Sequence, residues 1–278
     1  MIDFIKFKIL NPDINYLLNI ENLDFDTIVN NKTGQIKKYV GYDKNIKLEL
    51  YEPTHKNPNG ILLISGSLHK YFNNGKHNYN QFTKINFLQV VKELTNKYKI
   101  KPKESTILSL EMGLNIYPDI PTKEILNSCL MHRKTPFKNI FTNNEGNYIQ
   151  VKKQRYIIKI YDKKKHYSKY NIPNEIMRFE LKYLKMIELN KQGIYTLQDL
   201  MQYDFNNFKN KLIKVWNEIL FYEPDIWDNT NFEYKYNNVN FWKRLKNDNY
   251  KYHLKKMKRQ RKNGIQNQIK QLIKETKI

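Results

Sequence analysis

The side chains best suited to chemistry on a phosphate lie in residues 155–182, RYIIKIYDKKKHYSKYNIPNEIMRFELK. β-Branched and aromatic residues at both ends predict two strands, which a basic loop rich in tyrosine connects. Successive side chains of a strand point to opposite faces, so alternation gathers one set of polar side chains on a single surface. That set comprises Lys159, Tyr161, Lys163, Arg178, Glu180 and Lys182. A phenol among cations and a carboxylate suits phosphoryl chemistry.

Tyr161 is the candidate nucleophile of this surface. Attack of a tyrosine on a phosphodiester stores the bond energy in a covalent link, so a cut strand can be rejoined without another energy source. A phenol has a pKa of about 10 and needs help from a base, a cation or a metal. We expect Lys159 and Lys163 to lower the pKa of Tyr161. Tyr167 and Tyr170 in the loop remain alternative nucleophiles, and Tyr161 as an ordinary strand aromatic is the alternative to catalysis.

Two carboxylates and a histidine are candidate metal ligands. Glu111 lies in residues 106–116, where alternation predicts a strand with an apolar buried face. The residues expected on that buried face are Leu108, Leu110, Met112 and Leu114. Hard cations such as Mg²⁺ and Mn²⁺ prefer oxygen ligands and polarise a phosphate. Glu180 is either a second ligand or an ion-pair partner of Arg178, and His77 either binds metal or donates to a phosphate.

The loop before a predicted helix over residues 82–98 carries further candidates for phosphate contact. These are His69, Lys70, His77 and Asn78. Backbone amides at a helix N-terminus favour anions, which makes this loop a suitable place for such contacts. Asn78 or Asn80 is expected to cap the helix.

Charge is the strongest global signal. The chain has 278 residues, and 49 Lys plus Arg stand against 27 Asp plus Glu, a formal net charge of +22. The codon bias of an AT-rich genome would enrich Lys, Asn, Ile and Tyr. It would also enrich Glu, so it does not by itself explain the excess of positive charge. Self-repulsion at this charge destabilises a compact chain unless a polyanion binds it. The 21 Tyr and 14 Phe favour nucleic acid, because aromatic rings stack on unpaired bases. An anionic membrane surface and compositional drift are the alternatives.

Composition also excludes several protein classes. The single Cys129 excludes an internal disulfide framework and a multi-cysteine zinc site. No apolar run approaches the roughly 18 residues needed to span a bilayer, and the start, MIDFIKFKIL, lacks signal-peptide architecture. We therefore expect a cytoplasmic protein with no membrane partner. The nucleotide-loop pattern G-x-x-x-x-G-K-[ST] is absent, so no helicase motor is built in.

The periodicity predicts an α+β fold in which antiparallel sheets position these side chains. Strands of the first half are expected over residues 2–10, 48–51, 61–65 and 106–116. In the second half a short helix within 122–131 precedes strands over 148–151, 155–163 and 176–182. The two halves, about 1–117 and 133–190, are expected to form one domain over 1–190, and they could be related β-rich copies.

From residue 183 the period becomes helical, and residues 191–278 are expected to form a helical, basic region that binds nucleic acid. Helices are expected over 196–201 and 205–220, with a linker over 221–240. The tail residues expected to contact phosphates are Lys255, Lys256, Lys258, Arg259 and Arg261. A solvated basic face is the alternative. Phosphate contacts give affinity and salt dependence, but they carry no sequence information.

Three blocks of the sequence resemble the replication initiators of filamentous phages and related plasmids, the gene II family. Residues 64–82, ISGSLHKYFNNGKHNYNQF, are similar to that family's GSPxKxxxGHN block. Residues 108–116, LSLEMGLNI, look like its carboxylate strand, and residues 159–182 look like the Y-x-K…R-x-E pairing of plasmid rolling-circle initiators. The match spans about the first 220 residues as scattered motifs.

The sequence departs from the family pattern at several points. Leu68 stands where the family has proline, and Glu111 stands where it usually has aspartate. No H-x-H pair occurs in the chain, so the two-histidine metal site of many nicking enzymes is absent.

The resemblance implies site-specific nicking of one strand at a replication origin, with a tyrosine joined to the 5′ phosphate and later strand closure. It also implies a divalent cation, Mg²⁺ or Mn²⁺. By position, Tyr161 would be the nucleophile and Glu111 the metal carboxylate, with Arg178 and Glu180 completing the site and Lys163 near the phosphate. The implied partner is single-stranded and origin DNA.

Lys159 and Tyr167 are expected to contact this DNA as well, and a host helicase is a further expected partner. A non-catalytic replication regulator on the same scaffold is one alternative function. A relaxase or transposase relative is another.

Overall fold

A computed structural model of the protein describes residues 1–55, 58–141, 148–223, 232–259 and 264–278. For residues 232–234, 258 and 259 the description covers the helical backbone alone. The strands of the larger sheet are β1 (Ile2–Leu10), β2 (Phe25–Val29), β3 (Ile36–Asp43), β4 (Ile46–Tyr51), β5 (Ile61–Ser67), β6 (Ser105–Ile116), β9 (Lys138–Ile140), β10 (Tyr148–Lys152), β11 (Tyr156–Asp162) and β12 (Met177–Tyr183). A smaller sheet contains β7 (Cys129–His132), β8 (Thr135–Pro136) and β13 (Ile219–Phe221).

Helices occupy the connections between strands and most of the C-terminal region. They are α1 (Ile14–Leu18), α2 (Leu68–Phe72), α3 (Lys84–Lys97), α4 (Thr122–Ser128), α5 (Lys163–His166), α6 (Ile187–Asn190), α7 (Leu197–Gln202), α8 (Phe205–Asn217), α9 (Phe232–Asn237), α10 (Val239–Arg244), α11 (Asn247–Arg259) and α12 (Ile265–Glu275). Short 3₁₀ turns cover Pro102–Glu104 and Ser168–Tyr170.

The larger sheet has ten strands in the order β2-β3-β4-β5-β1-β6-β12-β11-β10-β9. Every pair of neighbours in it is antiparallel. The first half of the chain supplies the strands on one side and the second half those on the other, and β6 meets β12 where they join. This arrangement confirms the predicted α+β fold with antiparallel sheets and a helical C-terminal region.

Strands β2 and β3 extend the sheet beyond the sequence prediction, which left residues 11–47 unassigned. Their side chains are mostly exposed, and β2 has none that is fully buried. Exposed strands lack the strict apolar alternation that identifies a half-buried strand. The two pair through a turn that includes Gly34, with a positive φ of 71°.

Strand β6 confirms the predicted strand over residues 106–116 but corrects one end of its face pattern. The pairing of β6 with β1 is irregular at this end. Lys6 stands opposite Ser109, but the next residue, Phe7, stands opposite Ile107. The irregularity puts Ile107 in the core and leaves Leu108 39% exposed, although Leu108 was expected on the buried face. From Leu110 to Ile116 the apolar side chains are buried as predicted.

Helix α3 covers one face of the sheet with Phe87, Val90, Val91 and Leu94. Its N-cap is Thr83, whose hydroxyl and the side chain of Asn86 form a capping box. The predicted cap at Asn78 or Asn80 was therefore wrong. The signal was present in the sequence, since T-x-x-N has the spacing of such a box.

The C-terminal helices α7, α8 and α12 pack on the same face of the sheet as α3. Leu200, Trp216 and Ile269 belong to one core cluster that also contains the buried residues of β1, β6 and β12. The Trp216 Nε1–H donates to the Gln266 carbonyl at 2.9 Å, which fixes α12 on α8. Residues of both predicted domains, 1–190 and 191–278, belong to this one core. The boundary between the two domains stays a prediction.

Part of the predicted linker over residues 221–240 is ordered secondary structure. Strand β13 ends at Phe221, and α9 and α10 pack Tyr236 and Trp242 into a second, smaller core with Met257 of α11. Within the described ranges, no helix combines the length and the apolarity needed to cross a membrane.

Candidate active site

A cavity of about 230 Å³ opens on the face of the ten-stranded sheet that points away from α3. Of the predicted site residues, Lys70, Asn78, Glu111, Lys159, Tyr161 and Glu180 line it. Five lining residues were not predicted: Asp3, Phe4, Ser67, Tyr148 and His166. We call the sheet face that carries Tyr161, Glu180 and Glu111 the site face.

Strand register explains why residues far apart in sequence meet here. Directly opposed residues of antiparallel strands share a face. Tyr161 of β11 stands opposite Arg178 of β12, and Arg178 stands opposite Asn115 of β6. Two residues along the strands, Lys159 of β11 stands opposite Glu180 of β12, and Glu180 stands opposite Gly113 of β6. The surface predicted from alternation is therefore present in the structure for Lys159, Tyr161, Arg178 and Glu180.

Gly113 allows the backbones of β6 and β12 to approach closely beneath Glu180. A Cβ at this position would lie 2.5 Å from the Glu180 Cβ and 2.5 Å from the Phe179 carbonyl oxygen. Real Cβ atoms do not come that near to other atoms, so a side chain at position 113 would require β6 and β12 to move apart.

Arg178 is the centre of a buried ionic network. Only 2% of it is exposed, and its guanidinium lies 3.4 Å from Asp3, 3.1 Å from Glu180 and 3.2 Å from the Asn115 side-chain oxygen. Asp3 also accepts hydrogen bonds from the Ser67 hydroxyl and, at 2.7 Å, from the Asn78 side chain. Burial opposes the charge on Asp3, but Arg178 and other nearby cations hold the pKa of Asp3 well below its usual range.

Lys163 departs from its predicted place. The strand ends at Asp162, whose carboxylate caps α5 by accepting from the Lys165 N–H at 3.0 Å, and Lys163 is the first residue of that helix. Its side chain is 0% exposed, and the Nζ has no hydrogen-bond partner among the described residues. The Nζ lies 5.8 Å from the centre of the Tyr161 ring. Burial, together with the charge of Arg178, lowers the pKa of Lys163 to about 7.

Tyr161 lines the cavity, and its hydroxyl has no hydrogen-bond partner within the described part of the chain. Burial, reinforced by Glu180, raises the pKa of Tyr161 well above 10. The expectation that Lys159 and Lys163 would lower this pKa was therefore wrong. Carboxylates offset the charge of Lys159, and burial lowers the pKa of Lys163 itself.

The carboxylates expected to bind metal are paired with lysines. The Lys159 Nζ lies 3.6 Å from Glu111 and 3.4 Å from Glu180, between the two carboxylates, and Lys182 lies 2.6 Å from Glu111. Over the described ranges, no three His, Cys, Asp or Glu side chains form a group that could hold a metal ion. As paired here, the donor set does not fit a divalent cation, because an ammonium occupies the position between its carboxylates.

His77, the third predicted metal ligand, does not line the cavity. Its ring stacks on Tyr79 with a centroid separation of 4.0 Å and meets Tyr170 edge-on at 5.6 Å. Its buried Nδ1 has no hydrogen-bond partner in the described structure. The structure thus does not bring His77 together with Glu111 and Glu180.

The loop after α2 closes over one end of the site. The Asn115 side chain donates to the carbonyls of Asn78, Tyr79 and Asn80 at 2.9–3.0 Å. The Tyr167 hydroxyl donates to the Asn78 side chain at 2.7 Å and is buried. The other predicted nucleophile, Tyr170, does not line the cavity. Of the three predicted nucleophiles, Tyr161 is therefore the one that lines the cavity.

The predicted DNA contacts differ in how accessible they are. Lys70 lines the cavity, whereas His69 is buried, stacks on Phe82 and contacts the Asn80 side chain at 2.6 Å. Burial lowers the pKa of His69 to about 3, so the imidazole is neutral and unsuited to hold a phosphate by charge. Asn78 and Tyr167 are both buried. The DNA contacts predicted for these two residues stay predictions.

The tail residues are described only in part. Lys255 is exposed and Lys256 is half-buried on α11. The side chains of Lys258 and Arg259 and all of Arg261 lie outside the described residues.

Comparison with known proteins gives a distant structural likeness. No protein-family model matches the chain, and no curated protein matches it. Among solved structures, it is similar to a rolling-circle replication initiator protein from Geobacillus stearothermophilus. The sequence identity is 12% and the TM-score 0.36, over 66% of this chain and 73% of that one. At this distance, function has to be inferred from the geometry of the site.

Proposed function

We propose that the protein initiates rolling-circle replication of a phage or plasmid by nicking and rejoining one strand of origin DNA through Tyr161. The observation that carries this proposal is the position of Tyr161, which lines a cavity together with Lys70 and Lys159. Such a cavity suits a phosphodiester held by cations next to a nucleophile. The net charge of +22 supports a polyanionic substrate.

In the proposed reaction the Tyr161 oxygen attacks the scissile phosphorus, and the bond from phosphorus to the 3′ oxygen breaks. The products are a 5′-phosphotyrosine and a 3′ oxygen, which takes a proton from solvent to become a free 3′ hydroxyl. The reverse attack by a 3′ hydroxyl rejoins the strand and releases the tyrosine. Lys70 and Lys159 hold the phosphate oxygens, and Arg178 is a positioning residue that keeps Asp3 and Glu180 in place.

Lys163 is the proposed acceptor of the Tyr161 proton. Its Nζ is buried near the Tyr161 ring and has no hydrogen-bond partner in the described structure. With a pKa of about 7, a substantial fraction of the amine is neutral at physiological pH and can accept a proton. The resulting ammonium would return the proton to Tyr161 when the strand is rejoined.

Lys163→Met is expected to raise stability at pH 7 while it lowers the nicking rate on the order of 10²-fold or more. The unfolded chain binds the Lys163 proton up to a pKa of 10.5, and the folded chain releases it above about 7. The unfolded state therefore holds more protons between these values, so Lys163 makes stability rise with pH across this window. Urea unfolding from pH 7 to 10 should show a stability gain of the variant that shrinks as pH rises.

Lys164→Met is the matched control, since Lys164 is half-buried and pairs with Glu175 at 3.4 Å. A constant stability difference between Lys163→Met and the wild type over this pH range would contradict a deprotonated Lys163. Nicking by Lys163→Met at the wild-type rate would remove its proposed role in proton transfer.

A metal requirement is a separate part of the proposal. A cation at Glu111 and Glu180 would have to displace Lys159 from between them. The sequence resemblance, not the arrangement of the carboxylates, supports this requirement.

The test of the function is a nicking assay with labelled single-stranded DNA carrying the origin of the protein's own replicon. Arms with Mg²⁺, with Mn²⁺ and with EDTA separate nicking from its metal requirement. We expect site-specific cleavage in the arms with Mg²⁺ or Mn²⁺, and the EDTA arm shows whether that cleavage requires a divalent cation. Full nicking in EDTA would refute the metal requirement alone. Tight binding without nicking in every arm would identify a non-catalytic replication regulator instead.

A further inference from the structure

A row of lysines and serines crosses the site face from β4 to β6. Lys47 of β4 stands directly opposite Ser65 of β5, Ser65 stands opposite Lys6 of β1, and Lys6 stands opposite Ser109 of β6. Opposed residues share a face, so these four side chains form one line perpendicular to the strands. Neighbouring strands lie about 4.8 Å apart, which puts the backbones of Lys47 and Lys6 about 10 Å apart.

The row leads to the rim of the cavity. Two residues before Lys6 on the same face is Phe4, which stands opposite Ser67, and both Phe4 and Ser67 line the cavity. The Lys182 Nζ lies 5.6 Å from the centre of the Phe4 ring. The row and the cavity are thus parts of one continuous surface.

The positive charge of the row is only partly neutralised by carboxylates, so it is available to an anionic ligand. All four side chains are half-buried, so each keeps part of its surface exposed to solvent. Lys6 has no carboxylate partner among the described residues. Lys47 lies 3.1 Å from Glu49, but Glu49 also pairs with Lys38, so this cluster keeps a net positive charge.

We infer that the Lys47–Ser65–Lys6–Ser109 row binds the phosphate backbone of single-stranded DNA next to the scissile phosphate. Lysines and hydroxyls are common donors to phosphate oxygens. Phe4 at the cavity rim offers a ring on which an unpaired base can stack, which favours a single strand over a duplex. This inference deepens the proposed function and rests on it, and it assigns backbone binding to the sheet rather than to the basic tail alone.

The test uses the full chain with Tyr161→Phe, so that binding is measured without cleavage. The affinity for a fluorescent oligo-dT is measured by anisotropy across a series of salt concentrations. The row variant is Lys6→Gln with Lys47→Gln. The control is Lys32→Gln with Lys92→Gln, which removes the same charge from exposed positions away from the row.

Each phosphate contact on a single strand contributes about 0.7 to the slope of log affinity against log salt. We expect the row variant to lose about 1.4 from this slope and to bind on the order of tenfold more weakly. The control should keep the slope of the parent chain. Circular dichroism and thermal melting check that both variants are folded.

An unchanged slope in the row variant would overturn the inference, as would an equal loss of slope in the control. An equal loss of slope with duplex DNA would contradict the assignment of the row to single-stranded DNA. The nicking assay is independent of these slopes. A protein that binds through the row but does not nick would refute the proposed function and leave the row intact.

Discussion

Tyr161→Phe is expected to abolish strand nicking and to leave the affinity for single-stranded DNA within about twofold. The change removes only the phenolic oxygen, which accepts or donates no hydrogen bond within the described structure. The fold should therefore lose less than about 0.5 kcal/mol of unfolding free energy. The nicking rate should fall on the order of 10³-fold or more, because no other atom at this position can form the covalent bond.

Three further tyrosines provide controls for this result. Tyr148 also lines the cavity and stands directly opposite Tyr161 on β10. Tyr167 and Tyr170 are the alternatives that the sequence left open. We expect Tyr148→Phe and Tyr170→Phe to nick at rates near the wild type. Wild-type nicking by Tyr161→Phe, with loss in one of these variants, would move the nucleophile to that residue.

Arg178→Met is expected to destabilise the fold by about 3–5 kcal/mol and to abolish nicking. The substitution leaves two buried carboxylates, Asp3 and Glu180, without the guanidinium that lies 3.4 Å and 3.1 Å from them. Uncompensated buried charges cost far more than the loss of a surface ion pair. Urea unfolding at pH 7 measures the change in unfolding free energy.

Arg155→Met is the matched control, because Arg155 and its partner Glu188 are both partly exposed. We expect that variant to lose less than about 1 kcal/mol. Adding Asp3→Asn to Arg178→Met should restore part of the stability, since it removes one uncompensated charge. Equal destabilisation by Arg178→Met and Arg155→Met would contradict the buried network.

Much of the site could be predicted from the alternation of two strands. The period of two assigned Lys159, Tyr161, Arg178 and Glu180 to one face, and the register of β11 with β12 places them there. Alternation on β6 likewise assigned Glu111 to the face that meets them. A half-buried strand fixes its faces locally, so this part of the site needs no knowledge of the tertiary fold.

The parts that could not be predicted depend on contacts between distant segments. Asp3 reaches Arg178 across 175 positions of sequence. One signal for it existed: Asp3 has the same parity along β1 as the buried Ile5 and Phe7, where an acid requires a partner. No sequence signal indicated the burial of Lys163, because this burial follows from the end of β11 and the start of α5.

The pKa of Tyr161 shows the same limit. Neighbouring lysines in the sequence suggested a lowered value, but the pKa depends on burial and on carboxylates from three other strands. Charge in the sequence therefore does not give the sign of a pKa shift when the group becomes buried.

Covalent trapping tests the central proposal most directly. The protein is mixed with single-stranded DNA from its own replicon in Mg²⁺ or Mn²⁺, separated under denaturing conditions, and digested to map the peptide that retains DNA. We predict a DNA-linked peptide with the adduct on Tyr161, absent from the Tyr161→Phe variant. Tight DNA binding with no adduct on any tyrosine would contradict the proposal.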